Sequence, residues 1–156
     1  MAIPAGNPAP FFKMYDTERS EVTLDTFAGR ILVMHFFPAA FTGVCTQQMC
    51  MSRDDLHFYH ELGAMVVGIS VDMPFALKAF KEKNNINFEL LSDFNKETIH
   101  AYDMYQTNFT CEIRGVAKRG VVIVDPRGVV AYSEETASPG TQVNFAALKD
   151  ALVVLE

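Results

Sequence analysis

The chain is 156 residues long and carries 13 Lys+Arg against 19 Asp+Glu, a formal net charge of −6. Such a length suits a single domain over 1–156, which buries about 68–70% of its unfolded surface without disulfide staples. With 49% hydrophobic and 21% charged residues the composition is globular rather than disordered. The acidic balance argues against a nucleic-acid partner, and no apolar run reaches the roughly 18 residues of a membrane helix.

Met1–Lys13 lacks the charged-then-apolar layout of a signal peptide, so a soluble cytoplasmic protein is expected. Pro4, Gly6, Pro8 and Pro10 predict an irregular N-terminal lead. Ile31–Phe37 is apolar at nearly every position and stopped by Pro38, the pattern of a strand buried on both faces of a parallel sheet. After the loop Pro38–Phe41, a helix is expected to about Leu62, with Met49, Leu56, Tyr59 and Leu62 inward and Gly63 as the stop. Ala64–Ser70 reads as a second buried strand, which completes a βαβ unit. Asp72 and Pro74 open a helix to about Lys83. Phe88–Leu91 is a short strand, and Asp93 or Asn95 caps a further helix carrying Ile99 and Tyr102. Gly120–Val124 and Gly128–Tyr132 flank Asp125-Pro126-Arg127-Gly128, a hairpin with Pro and Gly where a type I turn wants them. A last helix starts near Asn144, with Phe145, Leu148 and Leu152 on one face. The order predicts an α/β protein with a mixed β-sheet flanked by helices, a thioredoxin-like fold whose ligands gather at the carboxyl ends of strands.

Cysteines stand at 45, 50 and 111. An odd, sparse count is no disulfide framework, so any role is that of a thiol. Pro38–Cys45 joins the first buried strand to its helix. With Thr42 as N-cap, its hydroxyl is expected to bond the backbone N–H of N2 or N3, and N3 is Cys45. The unpaired N–H groups and positive dipole end of that turn favour a thiolate. Pro38 stiffens the loop that shields the sulfur, and Gly43 allows close approach to the backbone. Thiolate formation alone gains little. Lowering a cysteine pKa from about 8.5 to about 6 gives roughly thirtyfold more thiolate at pH 7, of which roughly ten- to eighteenfold is returned as lost nucleophilicity. Fast chemistry needs donors aimed at the transition state, and a guanidinium is the natural one.

Phe36-Phe37-Pro38-Ala39-Ala40-Phe41-Thr42-Gly43-Val44-Cys45 resembles the Pro-x-x-x-Thr/Ser-x-x-Cys signature of peroxiredoxins. Gly115–Asp125 resembles the strand carrying that family's active-site arginine, here Arg119, and Leu90–Asp93 and Pro8–Phe11 resemble further family segments. The nearest likeness is to the alkyl hydroperoxide reductase E subgroup. The resemblance implies a thiol peroxidase in which Cys45 attacks a hydrogen peroxide or organic hydroperoxide and becomes a sulfenic acid. In this reading Thr42, Arg119 and the Cys45 N–H hold the peroxide oxygens, and Gln48 orients the arginine. No metal, haem or flavin is implied. A homodimer is, as is a reductant of thioredoxin, glutaredoxin-like or small-thiol type.

Cys45-Thr46-Gln47-Gln48-Met49-Cys50 also resembles the bacterioferritin-comigratory subgroup, in which a second cysteine five residues on resolves the first. In an intact helix that spacing separates the Cα atoms by roughly 8–9 Å, beyond the ~7 Å limit for a disulfide, so the first turns would have to unwind. Cys111 and an external thiol are the competing resolvers. His57 and His60, three apart beside Asp54 and Asp55, read as a solvated face, and His35 as a buried histidine with a satisfied hydrogen bond. A dithiol reductase would carry Cys-x-x-Cys, which is absent. A cysteine hydrolase would need His35 to reach Cys45. A non-enzymatic peroxide sensor would oxidise stoichiometrically without recycling.

Overall fold

The computed structural model describes residues 1–155; Glu156, the last residue of the expected domain, lies outside the described residues. Its centre is β3 (Ile31–Phe36), buried at every position. β3 runs parallel to β4 (Ala64–Ser70) on one side and antiparallel to β8 (Gly120–Val124) on the other. A strand enclosed in this way has no solvated face, which is why its sequence shows no polar alternation. β5 (Glu89–Ser92) continues the parallel set beyond β4. The hairpin β1 (Lys13–Asp16) and β2 (Glu21–Thr23) closes that edge, and β9 (Val130–Glu135) closes the other, in the order β2-β1-β5-β4-β3-β8-β9. The sheet is mixed, as the element order predicts.

Alternate β3 residues feed two cores. Ile31, Val33 and Phe37 pack with Cys45, Met49, Tyr59, Phe80 and Leu148, drawn from α1 (Gly43–Asp54), α2 (Leu56–Glu61), α3 (Pro74–Lys83) and α5 (Phe145–Leu155). Leu32, Met34 and Phe36 pack with Met14, Tyr102 and Ile99, the last on α4 (Glu97–Ala101). Helices therefore cover both faces. Each fully buried Leu, Met or Phe contributes about 1.5–3 kcal/mol from removal of apolar surface.

Three features depart from the sequence expectation. After the irregular lead comes a hairpin the sequence reading did not include: β1 and β2 turn through Arg19, at φ 64°, while Asp16 Oδ1 accepts the N–H groups of Glu18 and Ser20 at 2.9 Å each. That Asx-type bonding does the work of a glycine turn. The helix expected to Leu62 is two helices, α1 and α2, broken at Asp55 (φ −96°, ψ 6°). Asp55 is tied to Lys149 on α5 at 2.7 Å. The cap of α4 agrees with the expectation of Asp93 or Asn95: Lys96 is left-handed at the helix start, and the Asp93 carboxylate accepts from Thr98 and Ile99 N–H at 3.1 and 2.8 Å. A small two-stranded sheet, β6 (Tyr105–Gln106) with β7 (Val116–Ala117), precedes β8 and leads the chain to Arg119.

Candidate active site

Pro38 ends the β3 ladder, and the loop it begins is fastened to the carboxyl ends of β4 and β5. Asp72 Oδ2 accepts from Ala40 N–H at 2.8 Å and from Ser70 Oγ at 2.7 Å, while Ser92 Oγ donates to the Asp72 carbonyl at 2.6 Å. Phe41 adopts φ 69°, a left-handed conformation that costs a bulky residue about 1–3 kcal/mol. The anchors around it hold that geometry, with Phe41 edge-on to Phe80 at 5.3 Å. Asp72 carried no signal in the sequence beyond its place ahead of Pro74.

Thr42 occupies the N-cap of α1, but its hydroxyl does not bond the first-turn N–H groups. It donates to the Ala39 carbonyl at 2.7 Å. This corrects the capping expectation: the turn at Phe41 brings Ala39 O within reach, and a hydroxyl proton goes to the nearest strong acceptor. Thr46 N–H closes the first helical bond, to Thr42 O at 2.9 Å. Gly43, Val44 and Cys45 thus precede the hydrogen-bonded ladder, with the positive end of the helix dipole at the sulfur.

Cys45 is fully buried. Arg119, brought alongside by the β7–β8 connection and 3% exposed, points Nη2 at Cys45 Sγ at 3.3 Å. Its Nη1 donates to Gln48 Oε1 at 3.0 Å, and Nε and Nη2 donate to the Pro139 carbonyl at 3.0 and 2.7 Å. The guanidinium is therefore planted from two sides, with one N–H edge turned to the sulfur. Pro139 O was not foreseeable from side-chain motifs, because it is a main-chain acceptor. Outside this cluster a cleft of about 520 Å³ opens, lined by Thr42, Val44, Phe109, Thr110, Arg119 and Pro139 among others. A cleft of about 670 Å³ at Gly29, Gly63 and Leu155 lies instead toward the amino ends of β3 and β4, without a cysteine.

The structure thus joins Cys45, Arg119 and Gln48, with Pro38 and Thr42 framing them. All three cysteines are free thiols. Cys50 is half-buried on the unbroken α1, and Cys111 is exposed on the 3-10 turn Thr110–Glu112, next to Thr110 at the cleft. His35 bonds Gln48 and Ser52 rather than Cys45, so it lacks the contact a cysteine hydrolase needs. His57 pairs with Glu61 at 2.9 Å on an exposed face. Among the described residues no group of three His, Cys, Asp or Glu is arranged to hold a metal ion, and no helix is long and apolar enough to cross a membrane.

A cysteine at the first turn of a helix, following the central strand of a mixed sheet and faced by a buried arginine, defines a thiol enzyme on a thioredoxin-like fold. Residues 5–133 match the AhpC/TSA family, and the chain belongs to it. Among its relatives, a peroxiredoxin-named protein of Mycobacterium tuberculosis strain H37Rv is 34% identical over 131 residues, covering 83% of each chain. Peroxiredoxin Bcp of Escherichia coli K12 is 36% identical over 103 residues, 66% of each. The mitochondrial thioredoxin-dependent peroxide reductase of Mus musculus is 35% identical over 134 residues, 80% of this chain and 50% of that one. The reduced 2-Cys peroxiredoxin of Plasmodium vivax superposes with a TM-score of 0.83 at 27% identity, over 96% of this chain and 80% of that one. A peroxiredoxin-like protein of Aquifex aeolicus shares the fold at TM-score 0.90 and 24% identity, over 100% of this chain and 90% of that one. The protein is a thiol-dependent peroxidase, an oxidoreductase that reduces peroxides at the expense of thiols.

Proposed function

We propose that Cys45 is the peroxidatic nucleophile of this peroxidase. The observation that carries the reading is Arg119 Nη2 at 3.3 Å from Cys45 Sγ, with the same guanidinium tied to Gln48. The Cys45 thiolate attacks the terminal oxygen of a hydroperoxide, forming the S–O bond as the O–O bond breaks. Sulfur is oxidised by two electrons to the sulfenic acid, and the leaving oxygen takes the proton the thiol gave up and departs as water or alcohol. Arg119 and the Cys45 N–H stabilise the charge that spreads over both oxygens. Thr42, whose proton is committed to Ala39, keeps lone pairs that accept from the peroxide O–H. Pro38 and the Asp72 clamp hold the loop in place.

The sulfenic acid then condenses with a second thiol, releasing water and leaving a disulfide for a reductant to open. Cys50 is the intramolecular partner if the first turns of α1 unwind. Cys111, next to Thr110 at the cleft, and an external thiol are the other two routes. A thioredoxin-type, glutaredoxin-like or small thiol completes the cycle in a cytoplasmic setting, with the chain working as one domain over 1–156 and as a homodimer.

The test is one equivalent of hydrogen peroxide on the reduced protein, followed by non-reducing peptide mapping. A Cys45–Cys50 or Cys45–Cys111 bridge identifies the resolving thiol, and an unbridged sulfenic or sulfinic Cys45 identifies external resolution. Cys45→Ser should consume no peroxide, and Arg119→Ala should keep the fold while losing roughly 10²–10³ in oxidation rate. Peroxide turnover by Cys45→Ser would end the assignment.

A further inference from the structure

His35 occupies an interior position of the central strand, paired with Gly68 on β4 and Val121 on β8, and is fully buried. Its strand neighbours are all apolar, and an aliphatic residue there would avoid the cost of desolvating an imidazole. The ring stacks on Phe145 at 5.7 Å. Its two nitrogens make two contacts: Nδ1 with Gln48 Nε2 at 3.1 Å, and Nε2 with Ser52 Oγ at 3.2 Å.

The proton positions in this cluster follow from groups that have no choice. Arg119 Nη1 can only donate, so the Gln48 atom facing it at 3.0 Å is the oxygen. The Phe36 carbonyl can only accept, so the Gln48 atom facing it at 3.3 Å is the nitrogen. That nitrogen donates its second hydrogen to His35 Nδ1, which must therefore carry a lone pair. The ring proton is then on Nε2 and goes to Ser52 Oγ, whose own hydrogen goes to the main-chain carbonyl of Gln48 at 3.0 Å. Each donor meets an acceptor in one arrangement only. Burial holds the imidazole neutral, with its pKa pushed down to about 3, as this pattern requires.

We propose that His35 is a positioning residue of the peroxidase: with Ser52 setting its tautomer, it locks the Gln48 amide oxygen toward Arg119 and so aims the guanidinium at Cys45. The chain of contacts runs Ser52–His35–Gln48–Arg119–Cys45 and spans α1, β3 and the β7–β8 connection. It rests on the assignment of Cys45 as nucleophile. Loss of the Nδ1 acceptor frees the Gln48 amide to turn, which sets a nitrogen against a guanidinium that can only donate.

Three variants test this: His35→Phe, His35→Asn, whose Oδ1 replaces the Nδ1 acceptor, and Ser52→Ala. The readout is the second-order rate of Cys45 oxidation by hydrogen peroxide as a function of pH, with far-UV circular dichroism as the check on folding. His35→Phe is expected to slow oxidation by about ten- to a hundredfold, the loss seen for small misplacements in active sites, and to move the midpoint of the pH–rate profile to higher pH. His35→Asn is expected to recover most of the rate and return the midpoint. Ser52→Ala should show a smaller shift in the same direction. If His35→Phe does not fold, the presence or absence of the Ser52→Ala shift decides. A wild-type profile in folded His35→Phe or in Ser52→Ala, or an equal rate loss in His35→Phe and His35→Asn with an unmoved midpoint, would overturn the positioning role. Failure of the wild-type Cys45 itself to react would instead remove the underlying assignment.

Discussion

The sulfur and the amide of Gln48 stand one turn apart on α1, the guanidinium 74 residues beyond the sulfur, and the site's residues were legible for different reasons. Cys45 could be read from its place after a buried strand, because the start of a helix supplies unpaired N–H groups at a fixed spacing. Arg119 could be read only through family resemblance, since a lone arginine before a strand looks like a surface charge. The Thr42 hydroxyl went elsewhere than expected, because Phe41 turns the Ala39 carbonyl toward it. His35 was recognisable as a satisfied buried histidine, but its partners lie thirteen and seventeen residues away on a helix whose rotation no strand pattern specifies. Its neutrality has a thermodynamic signature. Between pH 6.5 and about 3 the unfolded chain binds a proton at His35 and the folded chain does not. Stability therefore rises with pH through this window, and is lost as pH falls below 6.5 by up to about 1.4 kcal/mol per pH unit. Urea unfolding of wild type and His35→Asn at pH 7 and pH 5 should show their stability difference changing by about 2 kcal/mol against wild type at the lower pH. Parallel pH dependence in the two proteins would refute a neutral buried imidazole.

Among the elements, the long buried strands and their hairpin were the most legible, because a strand enclosed on both faces tolerates almost nothing polar. Boundaries set by side-chain-to-backbone bonds were not. Asp16 makes a turn without glycine, and Asp55 interrupts a helical pattern whose apolar spacing continues through the break, although the Asp93 cap of α4 was readable. Close approach between elements was equally hidden. At Gly68 on β4, an added Cβ would meet Leu90 Cδ2 at 2.6 Å and Met49 Sδ at 2.8 Å. Met49 adjoins Gln48 on α1, so a methyl group on the strand presses on the helix that carries the sulfur. Gly68→Ala should destabilise the protein by about 1–3 kcal/mol, the usual range for overpacking, as measured by chemical denaturation. A stability within 0.5 kcal/mol of wild type, about the scatter of surface substitutions, would mean that the Leu90 and Met49 side chains yield freely.

For the molecule as a whole, three parallel strands ending on one side explain why the loop after β3, the Asp72 clamp and the Arg119 connection converge there. The net charge of −6 sets no obvious bar to self-association through apolar surface. Phe41 and Phe75 are 52% and 62% exposed at α3 and the loop packed on it, and Phe94 shares a cleft with Phe75. If the proposed homodimer forms through this side, sedimentation of the reduced protein should give twice the monomer mass, and Phe75→Glu should shift it toward monomer. Monomer mass at every concentration would remove the dimer from the proposal. Two of the arginine's bonds end on the Pro139 carbonyl, beyond the family match at residue 133. A main-chain oxygen is supplied by any residue that keeps the course of the loop. Sequence drift at position 139 can therefore leave chemistry intact, whereas a deletion that merely shortened the 136–144 connector would disarm the site without touching one signature side chain.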